Sequence, residues 1–191
     1  MDALEAILTR RSISRFRQDP VPKEMIEQLL EAAVRAPNHY ITEPWRFVVH
    51  TGEARQALGE VFADVKRAKL ADPDSAEAKS DLDKERARAM RSPVLIAVGI
   101  KKSDNPKAMQ IEDIEAGAAA VENILIAANA LGLGASWKTG DAAYDDRLKK
   151  HLGLAPDDHV AGLIHVGFPD SAGGSPSNRA NATTLTQWRW A

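Results

Sequence analysis

The chain contains no cysteine. That absence excludes disulfides, thiolate nucleophiles, zinc–thiolate sites and cysteine-ligated iron–sulfur clusters. Charge of one sign is also lacking. There are 25 basic and 27 acidic residues, for a net charge of -2. A large nucleic-acid footprint normally needs a basic surface, so nucleic acid is not expected as a partner. No apolar run approaches the roughly 20 residues that span a bilayer, which argues against a membrane partner. The start, Met1-Asp2-Ala3-Leu4-Glu5, carries early acids and no apolar core, so no signal peptide is read there and a cytoplasmic location is the expectation. There is no Gly-x-Ser-x-Gly elbow and no Gly-x-x-x-x-Gly-Lys phosphate loop, which removes two large enzyme classes. The histidines, His39, His50, His151, His159 and His165, show no metal-binding spacing with a second strong ligand, so no metal is proposed.

What remains is an ordinary globular composition, 44% hydrophobic and 27% charged over 191 residues. That length fits a single domain spanning 1–191, able to bury a core without staples. Asp2 can cap a first helix with Leu4, Ile7 and Leu8 on one side. A second helix starts near Pro22 and repeats Met25, Ile26, Leu29, Leu30, Ala33 and Val34 at helical spacing until Pro37. Trp45 to Thr51 is aromatic and β-branched and predicts a strand. A charged amphipathic helix runs from Gly52 to about Leu70. Residues 75–91 are so charged that they read as an exposed helix or a lid. Pro93 to Val98 is apolar on both faces, as in a fully buried strand. The longest helix, about Gln110 to Leu131, is nearly apolar all round past Glu115. It belongs at the centre of the molecule or at a subunit interface. Glycine ends it at Gly132-Leu133-Gly134. Two further strands follow, Ala135 to Thr139 and Val160 to Gly167, with a short helix from Asp145 to Leu152 between them. Everything beyond Pro169, including Gly173 to Pro176, reads as loop. The order is that of an α+β or α/β domain with a small sheet and lacks the regular strand–helix alternation of a doubly wound dinucleotide fold.

Three segments could carry chemistry. Arg10-Arg11-Ser12 puts two fixed cations and a hydroxyl at a helix end, where a guanidinium fork matches phosphate oxygens. Basic residues there equally well complement the helix dipole, and taken alone that reading is the stronger. Arg35 to His39 closes the second helix with another cation and an imidazole, which suits an anion or a heteroaromatic ring, or again simple capping. Trp137-Lys138-Thr139 offers an aromatic face, a cation and a hydroxyl suited to a flat, electron-accepting ring. The alternative is a core tryptophan beside a solvated lysine.

Together these stretches resemble one family. Arg10-Arg11-Ser12-Ile13-Ser14-Arg15-Phe16, the run from Ala36-Pro37 to Pro44-Trp45-Arg46-Phe47-Val48-Val49, and Gly132-Leu133-Gly134-Ala135-Ser136-Trp137 are similar in order and spacing to the three signature regions of the nitroreductase family, in its compact bacterial branch. The resemblance implies an α+β sandwich with a central, mostly antiparallel sheet flanked by helices, and an intertwined homodimer with FMN at the subunit interface. It implies that Arg10 and Ser12, helped by Arg11, hold the flavin phosphate and ribityl chain. Arg35 and His39 would reach the flavin of the other subunit. Trp137, Lys138 and Thr139 would border the isoalloxazine ring, with Lys138 a stabiliser of the reduced flavin. Ala127, Ala128, Asn129, Ala130, Leu131 and Gly132 would lie near the nicotinamide. The implied reaction is ping-pong electron transfer from NADPH or NADH through FMN to a small acceptor such as a nitroaromatic or a quinone. No protein group acts as a catalytic base, because the flavin carries the chemistry. Dehalogenation, flavin fragmentation or dehydrogenation on the same scaffold, and a non-enzymatic flavin-binding role, are the alternatives. The sequence departs from the family pattern where many members have a serine, an asparagine and a glutamine. Here those positions are Asn38, Ile41 and Glu43, which leaves acceptor choice open.

Overall fold

The computed structural model describes residues 1–170 and 179–190; the loop read at Gly173 to Pro176 lies outside them. Six α-helices surround four strands: α1 (Ala3–Thr9), α2 (Lys23–Ala33), β1 (Trp45–Thr51), α3 (Ala54–Arg67), α4 (Ala76–Arg88), β2 (Val94–Ile100), α5 (Gln110–Ala130), β3 (Gly134–Lys138), α6 (Asp146–His151) and β4 (His159–Gly167). The strands form one sheet in the order β1-β2-β4-β3, with every neighbouring pair antiparallel. The α+β class and the mostly antiparallel sheet that the resemblance implies are therefore both present. None of the helices among the described residues is long and apolar enough to cross a membrane.

Both faces of the sheet are covered, which is why the two central strands are apolar without alternation. On one face Ile96, Val98, Ile164 and Val166 pack against Leu29 of α2 and Val121 and Ile124 of α5. On the other face Leu95, Ala97 and Leu163 meet Leu58 and Phe62 of α3 and Leu148 of α6. Each fully buried Leu or Ile contributes about 1.5–3 kcal/mol relative to exposure, so these two layers supply most of the driving force. Gly117 lets α5 lie directly on β2, since a Cβ there would sit 2.8 Å from Ile100 Cγ1.

The charged stretch 75–91 resolves into a docked helix. Ser75 caps α4 by accepting the Ala78 N–H, and Ala78, Leu82 and Ala89 are buried. The α3 helix approaches it closely at Gly59, where a Cβ would lie 2.8 Å from the Arg86 carbonyl oxygen. The sequence signal was weak because only one large side chain, Leu82, anchors the helix.

Candidate functional site

The cations at the end of α1 are stapled to the sheet edge. Asp2 caps α1 by accepting the Glu5 N–H at 2.9 Å. Asn129 of α5 ties down its far end, donating to the Ala6 carbonyl and to Thr9 Oγ1, both at 2.9 Å. The chain then turns so that Ser12 bridges Ala135 in parallel, and the Ile13 N–H donates to the Ala135 carbonyl at 2.9 Å. A second bridge, Phe16 to Pro169, fixes the continuation against the end of β4. Gly134 is required at this junction, since a Cβ there would meet Ile13 Cβ at 2.9 Å.

A cavity of 160 Å³ opens between these elements, bordered by Arg10, Arg11, Ile13, Asn129 and Gly132 among others. The Arg10 side chain is only 15% exposed. Its Nε is buried without a hydrogen-bond partner, although Glu122 Oε1 lies 3.2 Å away as an ion-pair partner. Arg11 folds back instead, donating to the carbonyls of Leu8 and Arg10 at 3.0 and 2.8 Å. The Ser12 residue is exposed. Gly132 adopts φ 76 with open space around the position of a Cβ, so its backbone is approachable.

Trp137 lies two residues, about 7 Å, along β3 from the Ser12 bridge. Its indole N–H donates to the Ala161 carbonyl at 2.9 Å. That carbonyl is available because the β2–β4 register slips, pairing Gly162 with Val98 but Val160 with Gly99, so Ala161 is the extra residue of a bulge. Lys138 and Thr139 are exposed at the end of the strand. Behind Lys138, on the same face of the sheet, His165 pairs with Ser136 across β3 and β4. The Ser92 hydroxyl donates to the Val94 carbonyl at 2.7 Å and its oxygen accepts from His165 Nδ1–H at 2.9 Å. Burial, then the cations Arg91, Lys138 and Arg88, lower the His165 pKa to about 4, so the ring is neutral at pH 7.

The other expected residues sit elsewhere. Arg35 forms an ion pair with Glu31 one turn earlier in α2. His39 starts a short 3₁₀ turn, His39–Ile41, stacks on Tyr40 at 3.9 Å and pairs through Nδ1 with Glu112 Oε2 at 2.9 Å. Arg10 contacts α5 at Glu122 and His39 contacts it at Glu112. Ten residues of helix, about 15 Å, separate the two contacts. Within one protomer the structure groups Arg10, Arg11 and Ser12 with the β3 edge, leaves His39 apart, and pairs Arg35 with Glu31. Of the segment Ala127 to Gly132, Ala128 is fully buried and Asn129 is engaged with α1. Within this segment Asn129 and Gly132 border the cavity.

Two features carried no sequence signal. Glu122 is the ion-pair partner of Arg10. Thr42 Oγ1 donates at 2.6 Å to Asp113 Oδ1, a buried carboxylate on α5. Glu122 stands in no motif, the run that holds Thr42 gives no pointer to Asp113, and both contacts join segments far apart in the chain.

A family model for the nitroreductase family matches residues 7–168, which include every strand of the sheet and Arg10, Arg11, Asn129 and Gly132 of the cavity. The chain belongs to the nitroreductase family. It is 35% identical over 169 residues to "Putative NAD(P)H nitroreductase YfhC" of Bacillus subtilis (strain 168), covering 88% of this chain and 84% of that one. The nitroreductase-like family protein of Bacillus cereus superposes with a TM-score of 0.79 at 26% identity, over 99% of this chain and 96% of that one. A protein of Desulfovibrio desulfuricans, solved as a "putative nitroreductase in complex with FMN", gives 0.73 at 28% identity, over 100% of this chain and 99% of that one.

Proposed function

We propose that this nitroreductase-family protein is an FMN-dependent oxidoreductase that draws electrons from NADPH or NADH and delivers them to a small acceptor, such as a nitroaromatic or a quinone. The observation that carries the reading is Arg10. A buried guanidinium nitrogen without a hydrogen-bond partner faces a cavity stapled to the strand edge that displays Trp137, Lys138 and Thr139. That donor set fits a phosphorylated flat ring. Arg10, assisted by the Ser12 hydroxyl and the N-terminal segment around Arg11, holds the phosphate through charge-assisted hydrogen bonds. The approachable backbone at Gly132 permits close contact. Trp137 and Thr139 border the ring, and the Lys138 ammonium favours the extra negative charge of the reduced state. When bound, FMN supplies the hydride and electron chemistry. The NAD(P)H nitroreductase name of the Bacillus subtilis relative and the FMN of the Desulfovibrio desulfuricans structure support cofactor and donor alike.

The working form is a homodimer in which a second copy contributes Arg35 and His39, since within one protomer His39 contacts α5 about 15 Å along the helix from the Arg10 contact and Arg35 pairs with Glu31. The apolar residues Leu4, Ile7 and Leu8 of α1 and Ile111 of α5 are exposed in the single chain, as a contact surface for that copy would be.

The test is an absorption spectrum of the purified protein. Bound FMN makes it yellow, NADH or NADPH bleaches it, and an added quinone restores the colour. Initial rates varied in donor and acceptor give parallel double-reciprocal lines, as two half-reactions require. Protein that takes up no FMN refutes the proposal. Protein that binds FMN but is not bleached by either nicotinamide assigns a non-enzymatic flavin-binding role.

A further inference from the structure

The long helix α5 is almost wholly apolar from Ala116 onward. Between Ala116 and Ala130 it carries three polar side chains, Glu122, Asn123 and Asn129. Each of them leaves the helix to reach a neighbour. Asn123 Nδ2 donates to the Ala32 carbonyl of α2 at 3.0 Å. Asn129 grips the end of α1 through the Ala6 carbonyl and Thr9 Oγ1. Glu122, the one charge in this stretch, places Oε1 3.2 Å from Arg10 Nε. Glu122 and Asn129 are two turns apart on one face of the helix, so α5 meets the Arg10 segment at two points about 10 Å apart. Leu125 lies on the turn between them and borders the cavity.

The two contacts do different things. Asn129 bonds a backbone carbonyl and a hydroxyl, and so fixes where α1 ends. Glu122 acts on the guanidinium itself. An arginine side chain only 15% exposed needs a countercharge. The pair is coulombic, because Nε makes no hydrogen bond to the carboxylate. Glu122 therefore holds the cation at the cavity and leaves its N–H donors to a ligand. Arg11 is the contrast, with Nη1 already donating to the carbonyls of Leu8 and Arg10. A carboxylate beside an anion site also repels the anion, so placement has to outweigh repulsion. Glu122 is half exposed, and solvent screens an anion on the far side of the guanidinium more than the guanidinium in contact.

We infer that Glu122 is a positioning residue for the cofactor phosphate: it keeps Arg10 poised at the cavity, so that the site favours a flavin that carries a phosphate over one that does not. The inference rests on the FMN-binding reading above. Glu122 touches neither the ring nor the phosphate in this account, and acts only through Arg10.

The test titrates full-length apo-protein with FMN and with riboflavin, which lacks the phosphate, and follows flavin fluorescence. Glu122→Gln keeps the size of the side chain and removes its charge. It should weaken FMN binding about three- to tenfold, the size of one coupling in a charged network, and leave riboflavin binding within about twofold. In an Arg10→Ala background the same change should alter FMN affinity by less than about twofold, because no guanidinium remains to be placed. Where riboflavin binds too weakly to titrate, that background alone decides. A Glu122→Gln protein that binds FMN as tightly as the wild type overturns the inference. One that binds it more tightly also does, and marks Glu122 as a competitor of the phosphate. Equal losses for FMN and riboflavin mark a merely structural contact and overturn it too, as does an undiminished loss in the Arg10→Ala background. None of these results touches the oxidoreductase reading, which bleaching of the wild type by a nicotinamide tests separately. A wild-type protein that takes up no FMN overturns both.

Discussion

Gly162→Ala should be among the most damaging single-atom additions to this protein. The position sits beside the β4 bulge, with φ 154, and a Cβ there would overlap the Trp137 indole nitrogen, approach its Cδ1 to 2.6 Å and approach the Lys138 carbonyl oxygen to 2.9 Å. The carbonyl belongs to β3 backbone, which is paired along its length with β4 and cannot give way alone. The indole must therefore move, and its 2.9 Å bond to the Ala161 carbonyl breaks. Overpacking in a well-filled region costs about 1–3 kcal/mol. A donor stripped of its partner costs about 1–3 kcal/mol more. The sum, about 2–6 kcal/mol, is a large share of the 5–15 kcal/mol that holds a typical domain together. For a chain of this length each kcal/mol moves the midpoint by about 2–4 °C, so a fall of about 4–24 °C is expected in a calorimetric melt. Because Trp137 is displaced, the flavin absorption band of the loaded protein should shift as well. A variant melting within about 1 °C of the parent would refute the claim that this glycine exists to seat the tryptophan.

Arg10→Ala should weaken FMN binding about 10- to 150-fold, from the 1.5–3 kcal/mol of one charge-assisted contact; titration of apo-protein followed by flavin fluorescence measures it, and unchanged affinity removes Arg10 from the site. Leu82→Ala should cost about 2–5 kcal/mol in urea unfolding, because Leu82 is the one large side chain anchoring α4; a loss below about 0.5 kcal/mol would instead mark α4 as a loosely held lid. Stability should fall on acidification through His165. Its folded pKa of about 4 lies below the ordinary 6.5, so its contribution is fully present above pH 6.5 and lost as pH falls through 4. The displacement corresponds to about 3 kcal/mol. Burial moves His50 and His159 in the same direction, so the readout is the difference between the wild type and His165→Gln, whose pH profile should be flatter. Identical profiles would clear His165 of the effect.

The sequence predicted the order of helices and strands because each is written locally. The apolar run Val94–Ile100 is uninterrupted because β2 is covered on both faces. The small-residue helix Gln110–Ala130 lies at the centre because Gly117 lets it touch the sheet. The N-terminal cations and the Trp137 segment were legible as a pair, and the bridge from Ser12 to Ala135 joins them. The stretch 75–91 was ambiguous, since a single leucine among charges gives almost no periodic signal.

By themselves, then, residue types and spacing narrowed the fold to an α+β or α/β domain and marked three candidate segments, and the family resemblance supplied the chemistry. Tertiary structure decided which of them meet. It paired Arg10 with Glu122 and His39 with Glu112, latched Thr42 to Asp113, and held Ile41 outward at a positive φ that its own side chain disfavours. The physical reason is range. Periodicity and capping act within a few residues, whereas these contacts span 71 residues between Thr42 and Asp113, and more between Arg10 and Glu122. Only the packed chain can bring such groups together or force a backbone angle against local preference.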